Sequence, residues 1–131
     1  DPGAKVDDLY MKLDEITEEA ERLGYGCLVL ADCNAVLGER QGEEETESHG
    51  GHGLPQPRND RGSKLLAWSL SRNMKIVNTM FRKRPEKLET HVRGRHRRQI
   101  DYCLAAKRPW MKAVDMEVNS DVILPSDHRP L

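Results

Sequence analysis

Residues Cys27-Leu28-Val29-Leu30-Ala31 form a continuous apolar run, bounded by Gly26 before it and by polar residues after it. Such a run predicts a strand buried on both faces, of the kind that helices cover in an α/β sheet. A helix is expected just before it. From Val6, apolar residues fall at Leu9, Tyr10, Leu13, Ile16, Ala20 and Leu23, at helical spacing with charges on the other face. Asp7 or Asp8 can cap its start, Gly24 can end it, and its acidic stripe is expected to face water.

The chain as a whole is consistent with one domain of lean core. It has 131 residues, 37% of them apolar, 5% aromatic and 33% charged. A mean hydropathy of −0.76 and the lack of an apolar run near ~18 residues exclude a transmembrane helix. No secretory pattern opens the chain. It starts Asp1-Pro2-Gly3 and stops at Leu131, ends expected of an excised piece. Cys27, Cys33 and Cys103 lie in apolar stretches without a Cys-x-x-Cys unit, which argues against a structural zinc site and for a reduced, intracellular protein.

The net charge of −1 hides an asymmetry. Residues 1–57 hold 14 acidic and 4 basic side chains, and residues 58–131 hold 8 acidic and 17 basic ones. This split fits a basic working face in the second half with nucleic acid as partner, or two solvated surfaces of opposite sign.

Residues 39–58 are rich in Gly, Glu, Ser, His and Pro and predict a long flexible loop. Glu43-Glu44-Glu45 is expected to be solvated, and the free backbone around His49 and His52 argues against a metal site there. Asp60 can cap a second helix carrying Leu65, Leu66, Ala67, Trp68 and Leu70. Strands are expected at Met74 to Val77, Leu88 to Val92, Gln99 to Ala105 and Ala113 to Val118. Arg93-Gly94-Arg95-His96-Arg97-Arg98 forms a turn with four arginines, either a hairpin touching phosphates or a solvated loop.

Three short motifs carry chemistry. Asp32 and Asn34 stand at the carboxyl end of the first strand, where open α/β sheets place their sites. Asp101 interrupts the apolar run Ile100 to Leu104, and Asp127-His128 follows Ser126. Strand-tip acids, an amide and an Asp-His pair suit metal-assisted hydrolysis: carboxylates hold a hard cation, an Asp orients a His, and another acid activates water. Each motif alone is also compatible with turn chemistry.

In order and context these motifs resemble the endonuclease/exonuclease/phosphatase family, the fold of apurinic endonucleases and of the nuclease domains of non-LTR retrotransposons. The family's Gly-Asp-Phe-Asn stands here as Ala31-Asp32-Cys33-Asn34, its Ile-Asp-Tyr as Ile100-Asp101-Tyr102, and its Ser-Asp-His-x-Pro as Ser126-Asp127-His128-Arg129-Pro130. Asn59-x-x-Gly62-x-x-Leu65, Ile76-Val77-Asn78-Thr79 with Phe81, and Thr90 also match. His91 stands where an aromatic such as Trp is common beside the Thr.

The resemblance implies an α/β fold forming the C-terminal half of a four-layer sandwich, two packed mixed sheets flanked by helices. It implies a DNA endonuclease, retrotransposon-derived and nuclear. Asp32 would position or deprotonate the attacking water, and Asn34 would hold the scissile phosphate. His128 would contact that phosphate, oriented by Asp101 through its other ring nitrogen, and Asp127 would join a site for Mg2+ or Mn2+. Thr90, Asn59 and Phe81 would contact the DNA strand; the arginine turn, read on its own charge, would add Arg95, Arg97 and Arg98 on its phosphates.

The family's opening strands, which bear an Asn, a metal-binding Glu, a Tyr and an Asp, have no counterpart before Asp32, and its final strand is missing. Magnesium is therefore expected to be weakly held and the 131-residue chain to have negligible nuclease activity alone. An open sheet face is expected to expose Ile76, Val77, Ile100 and Leu104 and to invite association. Two other functions fit the sequence: a non-catalytic remnant acting as a binding module, and a phosphatase of the same fold.

Overall fold

The computed structural model describes residues 2–113, 115–119 and 125–131. Helix α1 (Pro2–Arg22) leads into strand β1 (Leu28–Asp32), followed by helix α2 (Asp60–Ser71) and strand β2 (Lys75–Ile76). Strands β3 (His91–Arg93), β4 (His96–Arg98) and β5 (Asp101–Ala105) come next, then the short helix α3 (Lys107–Met111). The result is a small α/β fold with two antiparallel sheets, β1-β5-β2 and the β3-β4 hairpin. Among the described residues, no helix is long and apolar enough to cross a membrane.

Helix α1 starts four residues earlier than the Val6 onset, at Pro2, where the fixed φ of proline suits a first helical position. Asp7 and Asp8 therefore lie inside the helix and cap nothing. Gly24 does end it: with φ +73 it lets Tyr25 N–H reach Ala20 O and its own N–H reach Glu21 O. The acidic side is only partly solvated. Asp14 accepts from Arg72 Nε and Trp68 Nε1, each at 2.7 Å, and Glu18 and Asp7 pair with Arg72 and Lys64. Meanwhile Leu9, Ile16 and Leu23 face water, because the inward stripe is the narrower set that includes Tyr10 and Leu13.

Asn59 caps α2, displacing Asp60 to the first helical position; its Oδ1 accepts from Gly62 N at 2.8 Å and from Val36 N at 3.0 Å. One side chain thereby ties the helix start to the segment after β1. Gly62 is required there, since a Cβ would lie 2.0 Å from Val36 O. Leu65, Leu66 and Trp68 then pack with Ala35, Leu37, Met74, Ile76, Tyr102 and Leu104 in the main core. Each such large apolar side chain contributes about 1.5–3 kcal/mol on burial.

Strand β1 is covered on one face only. Val29 packs on the core, whereas Leu28 and Leu30 are 56% and 64% exposed. The reason is its place at the sheet edge, where only β5 adjoins it and nothing described covers its outer side. Ile76, Val77, Ile100 and Leu104, expected on an open face, are all buried. Val77, Cys103 and Ala105 are sheltered by Phe81, Trp110, Ala113 and Met116.

The other strands are shorter than expected. Val77 turns into a 3-10 segment, and Leu88 and Glu89 close another that starts at Pro85, so pairing begins only at His91. Among residues 113 and 115–119 there is no strand; Ala106 starts α3 instead, and Val118 N–H donates to Lys87 O at 2.8 Å.

Residues 39–58 contain the 3-10 turn Glu43–Glu45 and a buried ion pair between Glu45 and Arg58, with Nη1 to Oε1 at 2.7 Å. Glu45 is thus not solvated like its two neighbours. His49 is fully buried, its Nε2 bonded to Gly38 O at 2.8 Å and its Nδ1 accepting from Gly51 N at 2.9 Å. Both ring nitrogens are thereby engaged within the loop.

Candidate active site at the end of the central ladder

The β1–β5 register sets Asp32 directly opposite Asp101. Like charges opposed across a ladder are unfavourable, and here a cationizable ring lies against both. His128 Nδ1 is 2.9 and 3.0 Å from the two oxygens of Asp101, and Nε2 is 3.6 Å from Asp32 Oδ2. The Asp101 side chain is only 18% exposed, against 51% for Asp32 and 38% for His128. The sheltered carboxylate therefore orients the ring, and the open one meets solvent.

The strand tip is held from several sides. Asp32 Oδ1 accepts from Asn34 N at 2.9 Å, in an Asx turn that places Asn34 at φ +45. Asparagine tolerates this left-handed backbone better than most residues. Tyr102 OH accepts from Leu37 N at 3.2 Å and lies 2.8 Å from Gln99 O and 3.0 Å from Ala35 O. Cys33 points inward; burial above all, then the Asp32 and Asp101 charges, pushes its thiol up to about 12, which makes it a packing residue and not a nucleophile.

His128 is delivered by the C-terminal segment. Val92 N donates to Asp127 O and Arg129 N to Thr90 O, both at 2.7 Å, so this segment lies against β3 with His91 bridged to His128. The two imidazoles meet edge to face at 5.0 Å. Asn78 supports the partner acid: its Nδ2 donates to Asp101 O, and its Oδ1 accepts from Cys103 N.

Of the residues expected at the site, Asp32, Asp101 and His128 come together, with Asn34 adjoining Asp32 through its backbone. Thr90, expected to contact a DNA strand, is fully buried, and its hydroxyl accepts from both Ile100 N and Asp101 N at 3.0 Å, which pins the start of β5. Asp127 is exposed and stands outside the group of facing ligand atoms. Phe81 packs with Trp110 at a centroid distance of 6.0 Å on the sheet's other face. Asn59 serves the α2 cap.

Arg93 and Arg95 are exposed at the β3–β4 turn, Arg97 pairs with Glu89 at 2.9 Å, and Arg98 is half-buried. The hairpin adjoins the site through the His91–His128 bridge. Tyr102, Gln99 and Asn78 carry supporting roles that sequence reasoning missed. Only Tyr102 and Asn78 had a signal, as members of the Ile-Asp-Tyr and Asn-Thr stretches.

The donor set does not by itself suit magnesium. That ion seeks near-octahedral oxygen donors. Both oxygens of Asp101 face an imidazole, Asp32 Oδ1 faces a backbone N–H, and the third group offers nitrogen. Asp32 Oδ2 is left as the one open carboxylate oxygen of the three residues.

Comparisons with protein-family models, with curated proteins and with solved structures found no match.

Proposed function

We propose that this chain supplies the acid-base and phosphate-contacting part of a DNA phosphodiesterase site, in a fold of the endonuclease/exonuclease/phosphatase type. The observation that carries the proposal is the file Asp101–His128–Asp32, in which a sheltered carboxylate aims an imidazole at an open one. In this reading Asp101 fixes the ring with its proton on Nδ1, and Nε2 faces the phosphate. Asp32 orients an attacking water, and the Asn34 amide donates to the phosphate oxygen on which charge grows. Thr90 and Asn78 are positioning residues. Arg95, Arg97 and Arg98 hold the DNA backbone near the site.

Magnesium, which would stabilise the phosphate's charge, requires donors beyond Asp32, Asp101 and His128, and no step is assigned to it. This favours a chain that binds DNA and nicks it negligibly alone. The fuller reading places it in the second half of a four-layer sandwich of a retrotransposon-type nuclease acting in the nucleus. The test compares plasmid nicking by the longest open reading frame containing these residues, with and without Asp32→Ala. The expected loss is about 100-fold or more; undiminished nicking by Asp32→Ala overturns the assignment.

A further inference from the structure

The stretch from residue 39 to residue 53 carries no apolar side chain, so polar bonds and close backbone contacts hold it to the fold. Segments without buried apolar contacts open at the least cost. Within it the fully buried His49 ring makes two bonds of opposite kind. Gly51 N donates to Nδ1 at 2.9 Å, so Nδ1 carries a lone pair, and Nε2–H donates to Gly38 O at 2.8 Å. A second ring proton would point at the Gly51 N–H and break that bond. The stretch rests on residues 76–79 through three further bonds: Ile76 N to Ser48 O, Gly50 N to Thr79 Oγ1 and His52 N to Thr79 O, at 2.9–3.0 Å. Between these anchor points, Asn78 holds Asp101 O and Cys103 N.

We propose that His49 is an acid-released latch: charging its ring opens residues 39–53 as a flap and withdraws their bonds from Ile76 and Thr79, on either side of the Asn78 that holds Asp101. The device is independent of the nuclease reading. Burial holds the ring below its ordinary 6.5; of the charged groups facing it, Arg58 and Arg40 add to this and Glu45 opposes it. From β2, Lys75 is turned to Glu47. With the closed-state value lowered, the open flap takes up the proton first, so the closed form loses ground as the pH falls below about 6.5. Arg58 holds the Glu45 carboxyl below its ordinary 4.5, so the ion pair that anchors the flap outlasts the latch as acid increases.

Amide exchange is followed by NMR from neutral to mildly acid pH, with and without low urea, in the wild-type chain and in His49→Gln. Folding of both is checked by circular dichroism. After correction for intrinsic rates, opening at the Gly50, His52 and Ile76 amides should be constant above about pH 6.5 and rise by up to about tenfold per pH unit below it. Low urea should leave this opening unchanged while speeding exchange in α2, because a flap exposes little surface. His49→Gln, which does not titrate, should remove the rise. The Asn78 side-chain amide should broaden over the same range. Flap amides that share the urea dependence of α2, opening that ignores pH, or a rise that persists in folded His49→Gln overturns the latch. An Asn78 signal that stays sharp while the flap opens refutes the link to Asp101. If the variant does not fold, the wild-type His49 ring signal decides: charging in step with flap opening supports the latch, and charging with the flap closed refutes it.

Discussion

Asp32 and Asp101 oppose each other across the β1–β5 ladder, and the His128 ring lies against both carboxylates. The arrangement places two like charges where a sheet ordinarily avoids them. It persists because Asp101 gains a short, sheltered hydrogen bond from the ring. Asp32 gains a backbone donor from Asn34. A site with one sheltered and one open acid around a single imidazole follows from that register.

His128→Ala should leave the two carboxylates facing each other without the ring. A loss of about 1 kcal/mol is expected near neutral pH, kept small because Asp32 is half exposed to solvent. The loss should shrink at high salt, which screens repulsion between charges that reach solvent. Urea melts at low and high salt check this; an equal loss at each would exclude repulsion as the cause.

Thr90→Val keeps the side-chain shape but removes the acceptor for Ile100 N and Asp101 N. Each orphaned donor costs about 1–3 kcal/mol, so a total of about 2–6 kcal/mol is expected in chemical denaturation. Thr90→Ser should recover most of it. The Val variant should also loosen Asp101 and blur the His128 ring signals, whereas simple loss of packing would leave those signals sharp.

Stability should fall with acid in two windows, both set by residues 39–58. Burial, the largest influence, holds the His49 ring below its ordinary 6.5. The unfolded chain therefore takes up a proton there first, and stability begins to drop as the pH falls below about 6.5. The Arg58 guanidinium holds the Glu45 carboxyl below its ordinary 4.5, so the stability it contributes is present above that value and lost as the pH falls through the lowered one. His49→Gln should flatten the upper window alone, as read from denaturant midpoints between neutral and acid pH. Glu45→Gln should cost about 3–5 kcal/mol at neutral pH, because Arg58 would be left buried without its partner.

Neutralising Arg95, Arg97 and Arg98 together should weaken duplex binding and lower its slope against the logarithm of salt concentration by about 2–3, at ~0.9 per phosphate contact. Fluorescence anisotropy across a salt series measures it. The contribution of Arg97 is expected to be the smallest, since Glu89 already holds it. A slope that does not change would assign the hairpin to solvation alone.

Much of the candidate site was legible in local patterns. The helix before Leu28 and the strand ending at Asp32 follow from apolar spacing, whereas the contact of Asp101 with His128 is legible only through the family resemblance. A motif threonine looks the same in sequence whether its hydroxyl meets a ligand or, as at Thr90, two backbone donors. Asn59 and Asp60 are both good caps in sequence. Only the hydrogen bond that Val36 N donates to Asn59 Oδ1 shows why the first is used. Among the described residues of the span from Ala113 to Val118 there is no strand; the apolar side chains of Met116 and Val118 pack without ladder pairing.

By itself the sequence determined which chemical groups are present and in what order: two acids, an amide and an imidazole near strand ends, an arginine-rich turn, and helical and apolar periods that commit segments to local structure. Local periodicity suffices for that, because 3.6- and 2-residue repeats bury one face whatever lies opposite. Tertiary structure alone decided that Asp32 faces Asp101, that Leu28 and Leu30 lie on an uncovered edge, and that Asp14 and Glu18 turn to Arg72 in place of water. Those outcomes depend on register and on which elements become neighbours. Both are set by contacts between residues as far apart as Asp32 and His128, which no local pattern encodes.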